Sequence, residues 1–202
     1  NYEQGLPVLV NLNIFRRKHR ANPMKLNLFL LSNLLCAVVL SQTQDPVPGP
    51  IITEYGAVWD IPQATYRTDT SATYKAVFDV MNSPEDKTQV NPWIETAARF
   101  LNMHARAGVA PEQLQVALIV HNKASTDLLN NTQYRERFGT DNPNAPLIKA
   151  LMESGAEVVF CGQSSMARKV PAEQVLEGVK LSLSAMTALI QFQNQGYQLI
   201  KF

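Results

Sequence analysis

Two short runs, Leu114–His121 and Ala156–Cys161, are apolar at almost every position. A strand with one wet face alternates, whereas a strand covered on both faces does not, so these runs predict buried strands of a parallel sheet. Parallel neighbours need crossover connections, and the sequence between the runs has the punctuation of helices. That pairing constrains the rest of the chain.

Around those runs the chain divides regularly. Lys75–Met81 reads as a strand, broken by Asn82-Ser83-Pro84. Asn91 as cap and Pro92 at the first position open a helix whose stripe is Ile94, Ala97, Ala98, Leu101 and Ala105, stopped by Gly108. His104 falls off that stripe and reads as a solvated helix residue. Ser125 to Phe138 is expected as a polar helix carrying Tyr134, Arg135 and Arg137, and Ala145 to Ser154 as another closed by Gly155. After Cys161 come a glycine turn, a serine pair suited to capping a helix, a helical piece over Ala172 to Leu176, and a strand over Val179–Leu183. Ser184 caps a last helix with Met186, Leu189 and Ile190 as its buried stripe, and Tyr197 to Phe202 forms a final strand. The order β-α-β-α-α-β-α-β-α-β predicts an α/β fold, a three-layer α/β/α sandwich on a largely parallel sheet.

The N-terminal residues read as targeting. Met24-Lys25 is followed by an apolar run from Leu26 to Leu40, ending in Val39-Leu40-Ser41, which has the parts of a secretory signal peptide over residues 24–41. The run is shorter than the roughly 18 to 20 residues of a spanning helix, so no stable membrane span is expected after cleavage. A periplasmic or secreted protein follows. Residues 1–23, with Arg16-Arg17-Lys18-His19-Arg20, read as an upstream extension. Residues 42–72 are expected as a proline-rich linker and an appended arm, with Tyr55–Trp59 its packed piece, and residues 73–202 as the domain.

Charge and motifs exclude several functions. From Gln42 onward there are 13 basic and 16 acidic side chains, a balance unlike the basic face of a nucleic-acid binder. There is no Walker loop, no G-x-G-x-x-G and no G-x-S-x-G, and no cofactor is expected. Once the leader with Cys36 is removed only Cys161 remains, too few cysteines for a dithiol oxidoreductase. His121 and Cys161 alone lack the further ligands zinc takes, so no metal is expected.

Cys161 concentrates the remaining chemistry. A lone cysteine in an apolar run is ordinarily an inert core residue. This one ends a strand and precedes a helix, at the edge of the sheet where ligands gather in α/β folds. A helix amino terminus favours a thiolate. His121 ends the neighbouring run at the same edge, and an imidazolium beside the thiol would lower its pKa further. Gly162, Gln163, Ser164 and Asn122 are the accompanying ligand-edge candidates.

The segments Val159-Phe160-Cys161-Gly162-Gln163-Ser164, Gly178-Val179-Lys180, Ala188-Leu189-Ile190-Gln191-Phe192-Gln193 and Gly196-Tyr197 together resemble the DsrE/DsrF-like family of sulfur-relay proteins, over roughly residues 73 to 202. The resemblance implies a compact α/β fold, homo-oligomers of trimeric or hexameric size, and a cysteine that accepts sulfur as a persulfide and passes it between donor and acceptor proteins. Cys161 stands at the position of that cysteine, and His121 resembles a histidine that ends the second strand in many relatives. Two readings follow: an exported, sulfurtransferase-like carrier working through Cys161, or a non-enzymatic oligomeric binding module in which Cys161 only lines a ligand edge.

Overall fold

Strand β1 (Tyr74–Val80) lies inside the sheet, flanked by β2 (Leu114–Val120) on one side and β5 (Gln198–Ile200) on the other. With β3 (Glu157–Cys161) and β4 (Lys180–Ser182) the sheet order is β4-β3-β2-β1-β5, and every pairing is parallel. The computed structural model describes residues 45–201. The leader expected over residues 24–41 and the extension before it lie outside the described residues. Among those described, no helix is long and apolar enough to cross a membrane.

Among the described residues five α-helices complete the α/β sandwich: α1 (Pro92–Arg106), α2 (Asn131–Phe138), α3 (Ala145–Glu153), α4 (Gly162–Arg168) and α5 (Ala185–Asn194). Alternation along the strands sends Phe78, Leu118 and Phe160 to one face, where they meet Ile94, Leu101 and Leu147 of α1 and α3. Val77, Ile119, Val159 and Cys161 point to the other face, covered by Ala185, Ala188 and Phe192 of α5. The Asn91 cap forms as expected, its side chain accepting from the Trp93 N–H at 2.9 Å.

Four local expectations are corrected. The polar helix expected over Ser125 to Phe138 splits into 3₁₀ turns over Asn122–Leu128 and the separate α2. Ser125 and Thr126 turn their hydroxyls back onto the carbonyls of Asn122 and Lys123, which competes with regular helix. Leu128 and Asn130 then spend their backbone on Leu176 and Gln174, and the Asn130 side chain starts α2 afresh by accepting from Gln133. The stripe of α5 is also rotated from the expected one, of which only Leu189 packs against the core. Ala185 and Ala188 face the sheet, while Met186 and Ile190 are 73% and 58% exposed; the small side chains let this helix lie close to the strands.

His104 is half-buried, not solvated. Its Nδ1 lies 2.8 Å from the Phe100 carbonyl, and its ring packs against Phe100 and Tyr74 with centroids 4.2 and 4.7 Å away. Nor is there a glycine turn after Cys161. Gly162 is already helical, and Ser164 and Ser165 lie inside α4.

The expected arm makes an antiparallel bridge, Val47 to Val58, and packs on α1. Asn102, fully buried on α1, accepts from the N–H groups of Ile51 and Ile52 and donates to the carbonyls of Ile52, Tyr55 and Gly56. Gly56 is required where it stands. Its φ is +69°, and a Cβ there would meet the Ala98 carbonyl carbon at 2.5 Å.

Candidate functional site

Cys161 is the last residue of β3 and the N-cap of α4, and it is 4% exposed. Its Sγ accepts the Ser164 N–H at 3.4 Å, a normal length for sulfur. Gly162 explains how a second helix start comes so near. A Cβ at Gly162 would sit 2.7 Å from the Ser182 carbonyl oxygen, so only glycine lets the β4–α5 connection lie against the β3–α4 junction. Ser184 caps α5 there by accepting from Thr187, and the Ala185 N–H turns toward the thiol.

The electrostatic balance follows from these contacts. Burial pushes the Cys161 thiol up, because it disfavours the charged form, but the Ser164 hydroxyl and the backbone N–H groups of Ser164, Ala185 and Gln163 outweigh burial and leave the pKa below its ordinary value. Ser164 is held for that purpose. Its Oγ accepts from the Asn122 N–H at 3.0 Å, which leaves its own hydrogen for the sulfur. Asn122 adopts φ +54°, a left-handed conformation asparagine tolerates, and its Oδ1 accepts from Arg168 on α4. Gln163 is exposed and reaches the Leu183 carbonyl at 3.4 Å.

Of the residues expected from sequence, Cys161, Gly162, Gln163, Ser164 and Asn122 are therefore brought together. His121 sits one strand away from them. Its backbone lies one step past the Val120–Phe160 pair, level with Cys161, but its Nε2 is 2.7 Å from Asp79 Oδ1 on β1. Among the described residues no hydrogen bond joins His121 to Cys161. Asp79 also takes Lys201 Nζ at 2.8 Å on its second oxygen. Its side chain is 6% exposed; burial raises the carboxyl, yet the hydrogen bonds from Lys201 and His121 win and hold it below the ordinary range.

Sequence reading missed Asp79 and Lys201. A signal existed, since an aspartate inside the apolar strand Ala76-Val77-Phe78-Asp79-Val80 falls on the Val77 face and a charge there needs a partner.

Two surface groups lie on the elements next to Cys161. Arg137 bonds to the Arg168 carbonyl and Arg168 to Asn122, with Lys123 and Lys169 as their chain neighbours, and among the described residues none of the four has a carboxylate partner. On the other side Leu181, Leu183, Met186 and Ile190 are all more than half exposed along β4 and α5. Among the described residues no three metal-ligating side chains converge.

A family model described as the DsrE/DsrF-like family matches residues 75–202. Two solved structures are similar at 16% identity: a protein of unknown function, MTH1491, from Methanobacterium thermoautotrophicum, with a TM-score of 0.49, and the ychN protein from E. coli, with a TM-score of 0.48. Each alignment covers 64% of this chain and 99% of the other. No curated protein matches the chain.

Proposed function

The chain belongs to the DsrE/DsrF-like family, and from that premise we propose that it handles sulfur through Cys161 as a single-cysteine persulfide carrier. The observation that carries this reading is the Ser164 N–H donated to Sγ at 3.4 Å at the start of α4, with the backbone leading into α5 held against the same junction, surroundings that outweigh burial and favour the thiolate. As a thiolate, Cys161 attacks the outer sulfur of a donor persulfide. A new S–S bond forms at Cys161, the donor's S–S bond breaks, and the donor leaves as its thiolate. An acceptor thiolate then attacks the outer sulfur on Cys161 and restores the starting thiolate, so no net oxidant is needed.

The cationic group of Lys123, Arg137, Arg168 and Lys169 beside α4 supports an acidic donor or acceptor protein, through charge complementarity. The exposed Leu183, Met186 and Ile190 support self-association into a trimer or hexamer. The leader-like residues 24–41 support export to the periplasm or beyond, with cleavage near Ser41; the mass of the exported form checks that site.

The 4% exposure of Cys161 favours the second reading, an accessory module in which the thiol only lines the sheet edge. Intact mass after incubation with a persulfide donor separates the two. The carrier gains about 32 Da, one sulfur, lost on mild reduction and absent in Cys161→Ser. An unchanged mass assigns the accessory role.

A further inference from the structure

On the α1 face of the sheet, away from the thiol, a half-open cavity of about 940 Å³ lies between α1, the arm and β5. Its walls are Trp59, Trp93, Phe78, Phe100, Met103 and Ile200. Trp59 is 60% exposed and Met103 47%. Large apolar side chains held open to water around a concavity of this size are the composition of a ligand cleft, where a few polar groups fix orientation.

The polar side chains here are Thr96, Arg99 and His104. Arg99 donates one amino group to Thr96 Oγ1 at 2.8 Å and to the Pro92 carbonyl at 3.3 Å, and among the described residues it has no carboxylate partner. The acid one turn away, Glu95, accepts from the Gly56 N–H at 3.0 Å. His104 donates Nδ1–H to the Phe100 carbonyl, which leaves Nε2 of the neutral ring an acceptor, so Arg99 is the donor for an anionic head group. Apolar walls with one cation that no carboxylate pairs among the described residues select an apolar body bearing a single negative head.

We propose that this cavity binds an amphiphilic monoanion, an alkyl or aryl chain ending in a carboxylate, with Arg99 on the head group and the two tryptophans on the chain. Phe78 belongs to the face opposite Cys161, so this binding does not depend on the sulfur reading.

The chain has two tryptophans and both line the cavity, so intrinsic fluorescence reports occupancy directly. Dodecanoate, dodecanol and dodecyltrimethylammonium are titrated below their micelle concentrations into the wild-type protein. We expect saturable binding of one dodecanoate, about tenfold tighter than the trimethylammonium chain, as one charge-assisted contact provides. Arg99→Gln removes that preference and leaves dodecanol unchanged, Arg99→Lys keeps it, and Cys161→Ser has no effect. Equal affinity for the anionic and cationic chains in the wild type overturns the proposal, with no variant needed. So does a fluorescence change that follows protein concentration, with a doubled mass by light scattering that Trp59→Glu abolishes, because the groove then belongs to a second copy of the chain.

Discussion

A thiol of ordinary pKa, about 8.5, is mostly protonated at neutral pH, so the few groups within reach of Sγ decide whether Cys161 reacts. Those groups are the Ser164 hydroxyl and three backbone N–H groups, with burial opposing them. Iodoacetamide labelling against pH should give an apparent pKa below the ordinary value, and Ser164→Ala should raise it. His121→Ala tests the imidazole contribution expected from sequence; because that ring is hydrogen-bonded to Asp79, its effect should be the smaller of the two. An apparent pKa of about 9 or above in the wild type would make Cys161 a core residue. Asp79 gives a second pH signature. Its folded pKa is lowered, so the stability it contributes is fully present above the unfolded value of about 3.9 and is lost as pH falls through the folded one. Asp79→Asn should therefore cost about 1–3 kcal/mol in urea unfolding at pH 7, and the difference should shrink in strong acid. The places of Cys161 and His121 at the strand ends were legible because each ends an apolar run. Asp79 carried a signal in its own strand, but its partner did not, since Lys201 lies far along the chain and only the β1–β5 pairing brings them together.

Elements with their own local signals were read correctly, and those whose limits come from distant contacts were not. The Asn91-Pro92 start of α1 and the Ser184 cap of α5 are written in adjacent residues. The break inside Ser125 to Phe138 is imposed by the Gln174–Leu176 backbone, which no local pattern reveals. The phase of α5 was partly misread for a different reason: Leu189 packs on the second face as expected, but Ala185, Ala188 and Phe192 keep helical spacing as well as Met186 and Ile190 do, and side-chain size pointed to the wrong pair beside it. The two glycines at close approaches make distinct predictions. Gly56→Ala brings a Cβ against α1 backbone at a left-handed position and should destabilise the domain by roughly 2–4 kcal/mol in thermal or urea melts. Gly162→Ala should instead part β4 from α4, and its labelling profile should shift toward a higher pKa because the Ala185 N–H moves off the sulfur.

For the molecule as a whole, the parallel sheet and its order of elements followed from two apolar runs and the punctuation between them, because strands buried on both faces admit few arrangements. What the sequence could not convey is how thinly the second face is covered. Among the described residues one helix, α5, lies on it, and its outer side together with β4 leaves Leu183, Met186 and Ile190 in water. Met186→Glu combined with Ile190→Glu should reduce the mass seen by light scattering to that of a monomer while the thermal transition stays cooperative. A wild-type monomer at micromolar concentration would remove the proposed assembly. The sheet order also sets a timetable. Among the described strands β1 comes first in the chain, yet one of its two neighbours is β5, which follows all the others, so during synthesis β1, β2 and β3 can pair while one flank of β1 stays bare. A nascent chain in that interval offers an open hydrogen-bonding rim to any other strand, and a holding chaperone would have most to shield there until β5 docks and Lys201 closes onto Asp79.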